Sequence, residues 1–178
     1  MTDRPIYERL PGMKCTLLSL FLVLLSMSGQ AARVYSGHSA SGSAIYAFSS
    51  SDGRLYRGHS ASGSADYTMK QEGSLIRIYK GHSASGTAAY AYNIADGRLY
   101  LGHSASGSAA YTLGEGETLR VYAGHSASGS ALYAIAPGSP MRVYRGHSPS
   151  GSAMCAITDG DGIPKGFLLF LIACLLGG

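Results

Sequence analysis

Asp52-Gly53-Arg54-Leu55-Tyr56-Arg57-Gly58-His59-Ser60-Ala61-Ser62-Gly63-Ser64-Ala65-Asp66-Tyr67-Thr68-Met69 is the stretch whose reading decides the fold. It holds two short runs of strand character, Arg-aliphatic-Tyr and Ala-x-Tyr-[AT]-apolar, separated by small polar turn residues. Ahead of the first run stands Asp52-Gly53. Asp-Gly between strands predicts a type I′ hairpin turn, in which both central residues take positive φ. The second turn is Ser-x-Ser-Gly. In the second run, alternation predicts that Ala44, Tyr46 and Phe48 and their equivalents share one face. The position between the first two drifts through Ile45, Asp66, Ala89, Ala110, Leu132 and Met154, and so is expected to be exposed. For the first run, Leu55 and Arg57 would share a face. The residue after the Tyr varies from Ser36 to Lys80 to Leu101, and a bulge at the next Gly would reset the register.

The unit recurs six times. Its Gly-His-Ser motif begins at Gly37, Gly58, Gly81, Gly102, Gly124 and Gly146, at spacings of 21, 23, 21, 22 and 22 residues. One two-stranded hairpin cannot bury a core. Six can, by pairing side by side and closing so that no sheet edge stays open. A propeller blade takes about 40–45 residues, so six blades do not fit. A solenoid of 22-residue coils fits the length, but Asp-Gly turns argue for antiparallel hairpins. The expected fold is all-β: six tandem β-hairpin repeats of about 22 residues closing into a shallow barrel of pseudo-six-fold symmetry over residues 32–163. The repeated Tyr-x-Gly-His-Ser-x-Ser-Gly and Asp-Gly-Arg-aliphatic-Tyr pattern resembles that of the β-flower proteins, short bacterial chains named by the number of their hairpin petals. The resemblance implies a six-petalled barrel and brings no established activity with it.

Composition narrows the function. Charged residues make up 13% of the chain, about half the usual share, and the formal charge of +4 comes without a Lys/Arg block. A nucleic-acid partner is therefore not expected. Lys14, the apolar run from Leu17 to Leu25 and the small residues after it predict an export signal over residues 1–31, with Gly29 and Ala31 placed for cleavage. The acids Asp3 and Glu8 are atypical of such a leader and point to Met13 as the start. An uncleaved anchor is the alternative. Export allows Cys155 and Cys174 to pair. The simpler reading makes Cys155 a stand-in for a repeat Tyr and Cys174 a residue of the apolar tail, 164–178. That tail is too short for an ordinary span. It would plug the ring, enter a membrane interface, meet a partner or have no native role.

Some positions drift while Gly-His-Ser never changes. His38, His59, His82, His103, His125 and His147 would form a circle, and imidazole is a common transition-metal ligand. Against metal binding, six-fold symmetry spreads the rings apart and no carboxylate or thiol repeats beside them. The structural alternative has each His bonding a backbone group or the neighbouring turn. Arg33, Arg54, Arg77, Arg98, Arg120 and Arg142, with Tyr35, Tyr56, Tyr79, Tyr100, Tyr122 and Tyr144, offer donor forks and flat faces for an envelope glycan or lipid headgroup. Their structural alternative is Arg–Tyr stacking on the barrel rim. His and Ser adjoin in every repeat, yet no orienting acid repeats with them, so no catalytic site is expected. The expected protein is an exported, non-catalytic envelope module without a cofactor, with membrane association through its apolar termini. Metal binding by the His ring is the alternative.

Overall fold

A computed structural model describes residues 31–177; the predicted export signal lies outside the described residues, apart from Ala31. Twelve strands follow one another: β1 (Ala32–Ser36), β2 (Tyr46–Ser49), β3 (Arg54–Arg57), β4 (Tyr67–Glu72), β5 (Leu75–Lys80), β6 (Tyr90–Asn93), β7 (Arg98–Leu101), β8 (Tyr111–Gly114), β9 (Leu119–Ala123), β10 (Tyr133–Ala136), β11 (Met141–Arg145) and β12 (Cys155–Thr158). Each pairs antiparallel with its sequence neighbours, and β1 pairs with β12, closing the barrel. Each Gly-His-Ser motif lies on the long loop inside a repeat, and the short turns join one repeat to the next. The barrel therefore has a loop end and a turn end.

Side chains alternate across the wall. Val34, Leu55, Ile78, Leu99, Val121 and Val143, the aliphatic residues of the first strands, point inward and are wholly buried. Tyr46 and Phe48 also face the core, as alternation predicts. Ala44 does not share their face. It and its equivalents sit in the loops ahead of the strands and are buried outside the barrel core. On the outer face lie Ala47, Ala91, Ala134 and Ala156, fully buried despite pointing away from the lumen. Thr68 and Thr112 hold the same position in their repeats, and their hydroxyls donate to the carbonyls of Gly81 and Gly124 at 2.8 and 2.7 Å. The long loops thus fold back over the outside of the barrel, and the residues beneath them must be small.

Eight strands make a barrel that side chains alone can fill, and more strands widen it. Here the C-terminal tail supplies the filling. A turn of 3₁₀ helix (Gly160–Gly162) and Pro164 lead into helix α1 (Lys165–Phe170), which continues as a π-helical segment (Leu171–Leu176). Phe167, Leu168, Leu169, Phe170, Leu171 and Ile172 are at most 2% exposed. Phe167 meets Phe48, and Phe170 meets Tyr67 and Tyr90, with ring centroids 4.8–4.9 Å apart. The tail is the centre of the core. Gly166 is required where the helix enters, because a Cβ there would overlap the ring of Tyr92.

The Asp-Gly turns differ from the type I′ expectation. Asp159 is the one non-glycine among the described residues with positive φ, so Asp52 and Asp96 are not left-handed. Four residues separate Ser49 from its partner Arg54, and the turn closes by a bond from the Gly53 N–H to the Ser49 carbonyl at 2.9 Å. Gly53 alone takes the left-handed conformation, at φ 67°. Asp52 instead uses its carboxylate to accept the Arg54 N–H at 3.3 Å.

Candidate functional site: the clasp belt and the loop-end mouth

The constant residues of the repeat are brought together across repeat boundaries. The Nε of each first-strand arginine donates to the backbone carbonyl of the histidine in the next repeat: Arg33 to His59, Arg54 to His82, Arg77 to His103, Arg98 to His125 and Arg120 to His147. Arg142 closes the circle on His38, and the six distances run from 2.9 to 3.3 Å. The imidazoles take part as well. His82, His103 and His147 accept at Nδ1 from the N–H groups of Ala65, Ala88 and Ala131 in the preceding repeats, at 3.2–3.5 Å. His59, His103, His147 and His38 meet Tyr35, Tyr79, Tyr122 and Tyr144 edge to face, with centroids 6.3–6.4 Å apart. Arginine, tyrosine and histidine therefore build one belt of clasps around the outside, each repeat gripping the next.

This geometry bears on each candidate site. Tyr35, Tyr56, Tyr79, Tyr100, Tyr122 and Tyr144 are only 4–8% exposed, so their faces are covered and offer a sugar no platform. The guanidinium groups spend their Nε on the clasp. Some also hold an acid: Arg54 with Asp52 at 3.0 Å, Arg98 with Asp96 at 3.2 Å, and Arg77 with Glu72. Although burial works against it, bonds from Ser49, Tyr56 and Arg54 hold the Asp52 carboxyl below its ordinary range. The six histidines are solvent-exposed and spaced round the belt, and no group of three His, Cys, Asp or Glu able to hold a metal occurs among the described residues.

A different surface stands out at the loop end. There the π-helical segment finishes beneath the second-strand tyrosines: Tyr67, Tyr90 and Tyr111 are half-buried, Tyr46 and Tyr133 buried, and Cys155 takes the sixth place. Cys155 and Cys174 are both free thiols. Burial pushes Cys155 up to about 12 and Cys174 up to about 11, so neither is an activated nucleophile. Tyr90 is pushed up to about 12, by burial first and then by Cys174 beside it. Around this mouth runs the residue that follows each first-strand Tyr: Ser36, Arg57, Lys80, Leu101, Ala123 and Arg145. Arg57 is held by Asp66 at 3.1 Å and lies over the Tyr46 ring. Lys80 and Arg145 have no ion-pair partner among the described residues, and between them the rim turns apolar at Leu101 and Ala123. Leu101 is 70% exposed and Leu132 40%. Together with Ala110, Tyr111, Tyr90 and Cys174 they border an open recess of about 450 Å³.

The turn end gathers most of the acids. It carries Asp52, Glu72, Asp96, Glu115, Glu117, Asp159 and Asp161 together with Lys70, Lys165 and the arginines Arg54, Arg77 and Arg98 that pair with Asp52, Glu72 and Asp96. Lys165 is tied to Glu115 at 2.5 Å where the plug enters. The loop end is thus cationic and apolar, with Asp66 its one acid among the described residues, while the turn end mixes both signs.

Sequence reasoning missed the mouth because it looked to the constant residues. The signal was the drifting residue after each constant Tyr, which showed only as an uncertainty of register. Among the described residues no helix is long and apolar enough to cross a membrane. Compared with protein-family models, with curated proteins and with solved structures, the chain matches none.

Proposed function

We propose that this chain is a six-petalled β-flower acting as an exported, non-catalytic binding module of the cell envelope, and that it meets anionic envelope lipid with its loop-end mouth. One observation carries the reading. Leu101, Ala123 and Leu132 form an exposed apolar sector with Lys80 and Arg145, cations without an ion pair among the described residues, to either side, on the end of the barrel away from most of the carboxylates. An anionic lipid surface is attracted to these cations, and the apolar sector gains by leaving water. A glycan reading has less support, since the belt tyrosines are covered.

The test is flotation of the full chain with phosphatidylcholine vesicles with and without phosphatidylglycerol. Binding is expected to need the anionic lipid, to weaken with salt, and to fall when Lys80→Glu and Arg145→Glu are combined. Retention of binding by that variant refutes the reading and leaves the apolar N-terminal segment as the attachment.

A further inference from the structure

We infer that the recess between β6 and β10 is a binding site for the acyl chain of one anionic single-chain amphiphile of the fatty-acid type, its head group reaching Lys80 or Arg145. The inference rests on the lipid-facing reading of the mouth and adds to it a discrete site with a stoichiometry.

Three features build the site. The recess exists because two wall positions are small: Ala123 stands where other repeats have Arg57, Lys80 or Arg145, and Ala110 where others have Ile45, Leu132 or Met154. Its walls are Leu101, Leu132 and the faces of Tyr90 and Tyr111, and its floor is Ala173 and Cys174 at the end of the plug. A volume of about 450 Å³ falls within the range of small-ligand pockets, roughly 300–1,000 Å³. The titratable side chains that line it, Tyr90, Tyr111 and Cys174, stay uncharged at neutral pH, since burial raises all three groups. Such a lining suits hydrocarbon and holds no charged side chain to pair with an anion. A cation stands beyond it on either flank, Lys80 at the end of β5 and Arg145 at the end of β11, without an ion pair among the described residues. Because the plug closes the lumen beneath, the site holds one chain lying across the mouth and does not open into the barrel.

The experiment titrates the full chain with cis-parinaric acid, a fluorescent fatty acid, and follows alkylation of Cys174 by iodoacetamide in parallel. Saturable binding to one site is expected, with palmitate competing and occupancy slowing Cys174 alkylation. Ala123→Phe, which fills the recess from an exposed position, should abolish binding and leave the melting temperature unchanged. Lys80→Gln with Arg145→Gln should raise the dissociation constant about tenfold. Non-saturable binding, or equal binding by Ala123→Phe, overturns the inference. Loss of parinarate binding alone, with flotation on phosphatidylglycerol vesicles intact, overturns the acyl site and spares the lipid-facing mouth. Loss of both in the unmodified chain overturns both.

Discussion

Ending the chain at Pro164 removes the plug and leaves every strand in place. Six side chains, from Phe167 to Ile172, are then lost from positions at most 2% exposed. At about 1.5–3 kcal/mol for each large apolar side chain buried, the loss is about 9–18 kcal/mol. The whole stability of a domain is typically about 5–15 kcal/mol. These burial figures are upper bounds, because an unfolded chain already hides part of its apolar surface. Against that, the six-fold clasp belt resists inward collapse, so Val34, Leu55, Ile78 and their equivalents would face a wet lumen. The truncated chain is therefore expected not to fold. Far-UV circular dichroism with thermal melting decides it, comparing the full chain with the chain ended at Pro164. A cooperative transition within a few degrees of the full chain would refute the reasoning and show that hairpins and belt suffice. Adding a synthetic peptide of residues 165–177 and recovering the transition would support it.

Gly166→Ala places a methyl in the ring of Tyr92 and is expected to cost about 1–3 kcal/mol in chemical denaturation, with part of the loss recovered when Tyr92→Leu is added. Ala134→Leu, on the outer face beneath the loops, should cost a similar amount, about 1–3 kcal/mol, by lifting the loop that covers it. Ala134→Thr should be nearly neutral in the same assay, because Thr68 and Thr112 already fill that position and bond the loop carbonyl. Alkaline titration followed by phenolate absorbance should show late-ionising tyrosines, since Tyr90 and Tyr92 are pushed up to about 12, in both cases chiefly by burial. A raised folded value means stability fully present below the unfolded value near 10 and lost as pH rises through 12. Loss of native circular dichroism below pH 10 would contradict that assignment.

The hairpin repeat and its closure were legible because period, turn residues and alternation all act locally. The 22-residue period demands a supersecondary unit, and an uncovered hairpin demands neighbours. What was not legible depended on coverage. Alternation puts Tyr35 and Arg33 on the outer face but cannot reveal that the next repeat's loop lies over them. The Asp-Gly signal located the turn, while its type followed from the residue count between Ser49 and Arg54, which the dipeptide does not encode. The run Phe167–Leu176 reads alike whether it meets lipid, a partner or its own barrel. Strand number could have weighed against the first two, because a ring of twelve strands is wider than side chains alone readily fill.

The contrast between constant and drifting positions acquires a physical cause once the plug is placed. Outside the barrel every repeat meets an equivalent neighbour, so one clasp solution serves six times and Arg, Tyr and Gly-His-Ser stay fixed. Inside, six equivalent wall positions face a single helix that has no six-fold symmetry. Each meets a different side of it, so Phe48, Met69, Tyr92, Leu113, Ile135 and Ile157 must differ in shape to pack one asymmetric object. Recent duplication without selection would leave inner and outer positions equally alike. The wall position of Phe48 varies while the belt and most of the second-strand tyrosines repeat, which fits a belt kept for closure and a wall tuned locally to the plug. Variation at the mouth answers to neither demand, since Leu101 is largely exposed. A residue pattern there that is apolar on one arc and cationic beside it therefore calls for an explanation outside the chain, whereas the invariant histidines already have theirs in the clasp belt.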